Sequence, residues 1–298
     1  MIVITAPTGN IGRRLLPLLT AHDEPLRVVV RDPARLPDTI RDRVEVITGS
    51  HGDPTTIDRA LTGADAVFWL VPPDGSLTPD QAYSGFTRPA AHAFTTHGIT
   101  HVVGVSALGR GTPLADHAGL VTASLAMDNL IAATGVAYRA LANPSFYDNL
   151  LEETDSIRDH GVFTDTTDPD RPTPLVAVAD IAATAATLLL DRSWTGVDTV
   201  PVLGPRDLSP NDLARIMTEE LGRPVRYHRE TLDDLRTTML GHGLNAEFVE
   251  AVVNMKRAKD RSLDATTRPP HAGPGTEFAH WCAHTLKPAL TPETTDAH

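Results

Sequence analysis

The chain has 298 residues, a net charge of -12, 41% hydrophobic and 21% charged residues, enough for one large α/β core or a core plus a smaller lobe. This acidic balance excludes nucleic acid as a direct partner, because phosphate contact needs a basic surface, and it excludes an anionic membrane surface. No apolar run reaches the roughly 18 residues that span a bilayer, and the single cysteine, Cys282, has no partner for a disulfide, which fits a reducing cytoplasm. Met1-Ile-Val-Ile-Thr5 starts as a buried strand and leaves no room for a signal peptide. Further apolar strands are expected at 26–30, 44–47, 66–71, 101–105 and 136–141, with helices near 13–21, 54–62, 79–97 and 116–134 between them. Residues 164–174 read as an exposed loop. A helix follows from Val176 to about Leu190. Ser209 and Pro210 mark another helix start, as N-cap and first-turn residue. Helical segments near 231–240, 245–260 and 275–286, with strands near 198–203 and 225–228, complete a smaller lobe, and the tail from Lys287 is expected to fray.

Alternating strands and helices, with strands apolar throughout, predict a Rossmann-type doubly wound parallel sheet with helices on both faces. The smaller, mostly helical C-terminal lobe would cover the crevice at the carboxyl ends of the strands. The expected division is a dinucleotide-binding domain over 1–150, with added elements near 175–205, and a substrate-binding lobe over 206–298.

The first strand runs into Ala6-Pro7-Thr8-Gly9-Asn10-Ile11-Gly12 and then a helix. A helix N-terminus offers N–H groups and partial positive charge to a pyrophosphate, and small residues let the backbone approach it. Ala6 stands where a first glycine is expected. The second strand ends at Arg31, followed by Asp32 and Arg35. An acid at this place, about 20 residues past the glycines, accepts from the ribose of NAD, whereas arginine pairs with the 2′-phosphate of NADP. Arg31 and Arg35 therefore point to NADP(H), and Asp32 keeps NAD(H) as the alternative.

Five segments carry a resemblance: Ala6 to Gly12, Val30-Arg-Asp-Pro33, Val105-Ser106-Ala107, Asn143-Pro-Ser-Phe-Tyr-Asp-Asn149 and Val178-Ala-Asp180-Ile-Ala182. Their order and spacing resemble the NmrA-like family of atypical short-chain dehydrogenase/reductases, and Gly275 to Trp281 resembles that family's C-terminal helix. The resemblance implies a Rossmann fold, a nicotinamide cofactor and one of several activities. These are reduction of quinones or enones, an isoflavone-reductase-like reaction, or a redox sensor without catalysis. The cofactor residues are then Ala6, Thr8, Gly9, Asn10, Ile11, Gly12, Arg31, Arg35, Val71 and Asn143.

The Tyr-x-x-x-Lys pair of short-chain dehydrogenases is absent. Four residues after Tyr83, Tyr138, Tyr147 and Tyr227 stand Thr87, Ala142, Leu151 and Thr231. Ser124 occupies the position where many NmrA-like enzymes keep a lysine, and Asn143-Pro144 replaces their Arg-Pro. Of 26 basic residues only Lys256, Lys259 and Lys287 are lysine, a bias that matches a high-GC bacterial coding sequence and leaves lysine chemistry nearly absent. The remaining catalytic candidates are Ser106 at the end of strand five, Tyr147 after strand six, and His117 with Asp116 nearby. Each has an ordinary structural role as its alternative: a turn cap, core packing and an exposed helix-cap residue. His280 and His284 stand at a spacing that can hold zinc, without an evident third ligand, so no metal is expected.

The expected activity is NADPH-dependent reduction of a small conjugated or aromatic carbonyl compound. Such a product anion is already delocalised and needs no Tyr–Lys pair. The rival readings are an NADP(H)-binding redox sensor and a cyclase or dehydratase that keeps the nucleotide.

Overall fold

The computed structural model describes residues 1–265 and 275–291. Seven strands form one parallel sheet: β1 (Ile2–Thr5), β2 (Leu26–Val30), β3 (Glu45–Thr48), β4 (Ala66–Trp69), β5 (His101–Ala107), β6 (Ala137–Asn143) and, far along the chain, β10 (Val197–Pro201). Their order is β10-β6-β5-β4-β1-β2-β3. The chain builds outward from β1 to β3, then returns to lay β4 on the other side of β1, with Ile2 beside both Leu26 and Ala66. That reversal opens the crevice at the carboxyl ends of β1 and β4. The Thr5 hydroxyl donates to the Phe68 carbonyl and accepts from the Leu70 amide, tying the two strand ends together.

Every residue of β1, β2 and β4 is buried, because helices cover both faces of the sheet. Alternate side chains point to opposite faces. Ile2 and Ile4 pack with Leu15 and Leu19 of α1 (Gly12–Thr20) and with Ile181 and Ala185 of α7 (Val178–Leu190). Val3 packs on the other face with Ile57 of α3 (Pro54–Leu61), Phe94 of α4 (Phe86–Thr96) and Ile131 of α5 (Leu120–Ala132). The small α2 (Asp38–Arg41) lies between β2 and β3.

A second core holds Tyr147, Phe163, Met217, Phe278, Trp281 and Cys282. It gathers α6 (Thr154–His160), β8 (Val162–Asp165), α8 (Pro210–Leu221), β11 (Arg226–Arg229), α11 (Phe278–Trp281) and α12 (Lys287–Leu290). β8 and β11 pair in parallel, as do the two-residue β7 (Ser145–Phe146) and β9 (Leu175–Val176). Ser209 caps α8 in a reciprocal box with Asp212. Next come α9 (Leu232–Gly241) and α10 (Ala246–Asp260), the latter capped by Asn245. No helix among the described residues is long and apolar enough to cross a membrane.

The helix expected over 79–97 runs from 79 to 96, with a wider turn at Gln81–Gly85 leading into α4. Four local expectations need correction. The helix expected over 116–134 breaks at Gly119, which has φ +56° and where a Cβ would lie 1.9 Å from the Ala251 carbonyl of α10. The strand near 198–203 extends the main sheet beside β6 instead of joining the lobe. The supposed exposed loop 164–174 is packed: Thr166 is buried, Asp165 belongs to β8, and Thr173 bridges to Leu208. The tail from Lys287 continues as α12, and 292–298 lie outside the described residues.

Candidate active site

The β1–α1 turn is built on two close approaches. Ala6 has φ +49°, a left-handed conformation that favours glycine and costs an alanine about 1–2 kcal/mol. Gly12 has no room for a side chain, since a Cβ would lie 2.3 Å from the Ala6 carbonyl oxygen and 2.7 Å from Pro7 Cα. The second glycine of the pattern, Gly9, is less tight, with 3.3 Å from an added Cβ to the Ala6 oxygen. Gly12 therefore serves helix–strand packing, while Ala6, Thr8 and Gly9 face open space.

That space is a long crevice made of adjoining cavities. One, of about 610 Å³, is lined by Ala6, Thr8, Gly9, Arg31, Arg35 and His51. Both arginines are exposed. The carboxylate of Asp32 turns away to accept the Ala34 amide at 3.0 Å, capping the turn Pro33–Arg35. The acid that kept NAD(H) open thus has a local structural duty, and the guanidinium groups line the cavity without it. His51 is buried edge-on between Trp69 and Phe86, with Nε2 2.9 Å from the Leu70 carbonyl. Burial holds its pKa down at about 4, so it is neutral at pH 7. Sequence reading missed this residue, and a lone histidine carries no local signal that would have found it.

The second cavity, of about 560 Å³, shares Ala6 and Gly9 with the first and adds Asn10, Ile11, Val71, Ser106, Ser124 and Asn143. Asn143 Nδ2 donates to the carbonyls of Ser106 and Leu141, at 3.2 and 2.8 Å. Its Oδ1 is buried without a hydrogen-bond partner among the described residues. Such an orphaned acceptor beside a glycine-poor but tightly folded turn suits a nicotinamide carboxamide, and the arginines suit a 2′-phosphate. The residues present fit the dinucleotide. Tyr83 also lines this cavity, and burial pushes its hydroxyl up to about 12.

The catalytic candidates separate in space. Ser106 lines the second cavity, but its hydroxyl donates to Asp128 at 2.6 Å. Tyr147 is only 1% exposed and packs on Phe278 and Trp281 in the lobe core, with a hydroxyl sealed from solvent. The hydroxyl oxygen is buried, while the residue borders the cavity that extends under the lobe. His117 is exposed and lines a different, shallow hollow with Asp116 and Glu250. It is not brought together with Ser106. His280 and His284 stack on each other on one helix face, and among the described residues no group of three or more metal-ligating side chains occurs.

What sequence reading missed most is on α10. Lys256 and Lys259 both enter the second cavity from the lobe. Two of the three lysines in the chain stand three residues apart on one helix face, and that rarity was the available signal. Lys256 is ion-paired with Asp165. A third cavity, of about 870 Å³, opens from the second through Ser145, Phe146, Asn149, Met255 and Lys256, and extends under α9 and the lobe.

The comparisons with known proteins agree with this geometry. The model of a family described as NAD(P)H-binding matches residues 7–192. A (4-alkanoyl-5-oxo-2,5-dihydrofuran-3-yl)methyl phosphate reductase of Streptomyces griseus is 29% identical over 297 residues, covering 98% of this chain and all of its own. An NAD(P)H azoreductase of Xenophilus azovorans is 28% identical, with 85% of each chain covered. The fold is shared with the triphenylmethane reductase of Citrobacter sp. solved with NADP(H), at TM-score 0.78 and 18% identity, over 98% of this chain and 100% of that one.

Proposed function

Because this chain belongs to the NAD(P)H-binding family, we propose that it is an NADPH-dependent oxidoreductase acting on a small conjugated or aromatic carbonyl compound of the quinone or enone type. The observation that carries this reading is the junction of the cavities. A cofactor-side space lined by Asn143 and Ser106 opens into a larger one roofed by the lobe. A pure binding module has no use for a second, ring-sized space at that end of the nucleotide. The reductases it resembles support the same reaction class, and the furanone named for the Streptomyces griseus relative is itself a conjugated carbonyl.

When bound, the reduced nicotinamide supplies a hydride. The chain's own residues do the rest. The turn from Ala6 to Gly12 holds the pyrophosphate, Arg31 and Arg35 clamp the 2′-phosphate, and Asn143 Oδ1 accepts from the carboxamide. In this assignment residues 1–150 with the elements near 175–205 hold the cofactor, and 206–298 shape the substrate pocket. Phe248 and Leu244, from α10 and the segment before it, line the deeper cavity and keep water from a bound ring. The buried free thiol of Cys282 is in keeping with a reducing cytoplasm.

The test is oxidation of NADPH across a panel of quinones and enones, followed by loss of reduced-nicotinamide absorbance. Turnover with at least one ring-sized conjugated carbonyl is expected. Inactivity across the panel, in protein that binds NADPH, overturns the reading.

A further inference from the structure

We infer that Lys259 is the cation that holds and protonates the substrate oxygen made anionic by reduction, an assignment that rests on the reductase reading above. Its Nζ donates to the Ser145 hydroxyl at 2.9 Å, and both residues line the cofactor-side cavity with Asn143. Unlike Lys256, which is paired with Asp165, Lys259 has no carboxylate within ion-pair distance among the described residues. A half-buried ammonium without a directly paired carboxylate is costly unless a ligand brings negative charge into contact. The position is set by packing: α10 is capped by Asn245 and its Ala251 carbonyl presses on Gly119, the residue before α5. The lysine is therefore delivered from the lobe across the crevice on a fixed helix.

The charged groups facing it are Asp264 and Asp165, which favour the ammonium, and Lys256 and Arg171, which oppose it. Burial outweighs them and lowers its pKa below the ordinary lysine value. A lysine so placed gives up its proton more readily than one in water. For a quinone the balance is simple. The ring takes up a hydride, with its electron pair, from the reduced nicotinamide and becomes the hydroquinone monoanion. Lys259 then gives that oxygen one proton, leaving a neutral amine, and water returns the proton to the amine. The substrate is reduced by two electrons and the nicotinamide is oxidised by two.

The probe is 4-nitrophenol, whose phenolate absorbs separately from the phenol and mimics the anionic oxygen. Titrated into the NADP⁺-loaded protein, it should bind as phenolate, and Lys259→Met should weaken phenolate binding about tenfold or more. Lys259→Arg should keep the binding and lose turnover, since a guanidinium does not release its proton. NADPH affinity should stay unchanged in both. Undiminished phenolate binding in Lys259→Met overturns the assignment, as does a parallel loss of NADPH affinity. Inorganic phosphate that binds in place of the phenolate, and only when Lys259 is present, overturns it in favour of a substrate-phosphate anchor. If Lys259→Met does not fold, the wild type decides. Its phenolate preference must fade as pH rises through the lowered lysine pKa, and persistence into the ordinary lysine range overturns the assignment. Turnover with quinones that is indifferent to Lys259→Met sinks Lys259 and leaves the reductase. Inactivity of the wild type on every quinone and enone sinks the reductase and the proton transfer together, whatever the phenolate result.

Discussion

The hydroxyl of Ser106 donates to the buried carboxylate of Asp128 at 2.6 Å, and the same carboxylate accepts from Tyr138 at 2.7 Å and Arg110 at 3.0 Å. Ser106 therefore presents only acceptor character to the crevice. Burial still raises the Asp128 pKa, although each of the three donors pulls it down. Ser106→Ala removes one of those donors, so the carboxyl titrates higher still. The lost bond to a charged acceptor should cost about 1.5–3 kcal/mol at neutral pH. That deficit should shrink as pH falls through the Asp128 pKa, where the acid becomes neutral and donates its own proton. Denaturant melts at neutral and acid pH check this. A deficit independent of pH would show that the bond is not made to an ionised Asp128.

Cofactor choice should rest on Arg31. Removing a guanidinium that clamps a phosphate costs roughly 1.5–3 kcal/mol, a tenfold or larger loss. Arg31→Ala should weaken NADPH by that factor and leave NADH within about twofold, read by nucleotide fluorescence titration. Equal wild-type affinity for the two nucleotides would remove the 2′-phosphate from the account.

Gly12→Ala should be one of the most damaging single methyl additions in the chain. The new Cβ would meet backbone atoms of Ala6 and Pro7, which cannot swing aside. Overpacking of this kind costs about 1–3 kcal/mol, and NADPH affinity should fall with it because the phosphate turn must shift. Gly241→Ala, where an added Cβ meets nothing within 4 Å, is the control and should leave both nearly unchanged. Equal effects of the two substitutions would contradict the packing argument.

His51 predicts an acid limb of stability. Its folded pKa, about 4, lies below the ordinary 6.5, so the unfolded chain binds the proton first as pH falls. The stability is fully present above about pH 6.5 and is lost progressively down to about pH 4, by up to roughly 3 kcal/mol. His51→Phe should flatten that limb while costing the hydrogen bond to Leu70 at all pH values. Denaturant midpoints at pH 7 and pH 5 for both proteins measure the difference in slope.

The elements of the proposed cofactor half were legible because their signals are short-range. A buried strand, a small-residue turn and a helix within fourteen residues form the turn proposed to hold a pyrophosphate, and Arg31 follows at the end of the neighbouring strand. The substrate half was not legible. Nothing near Tyr147 in the sequence says that Phe278 and Trp281 will seal it into the lobe core. Nor does the sequence show that Asp32, the rival ribose ligand, caps the turn at Ala34.

By itself, the sequence determined the alternation of strand and helix, the parallel sheet that this alternation requires, and the small-residue turn after its first strand. These follow from local periodicity and steric limits on the backbone, which act within a few residues. Only the tertiary structure decided which polar groups meet in the crevice. Lys259 reaches Ser145 across 114 positions of chain, through a helix whose register is set by Gly119 accepting the backbone of Ala251. Contacts of that range depend on how whole elements pack, and no window of sequence contains both partners.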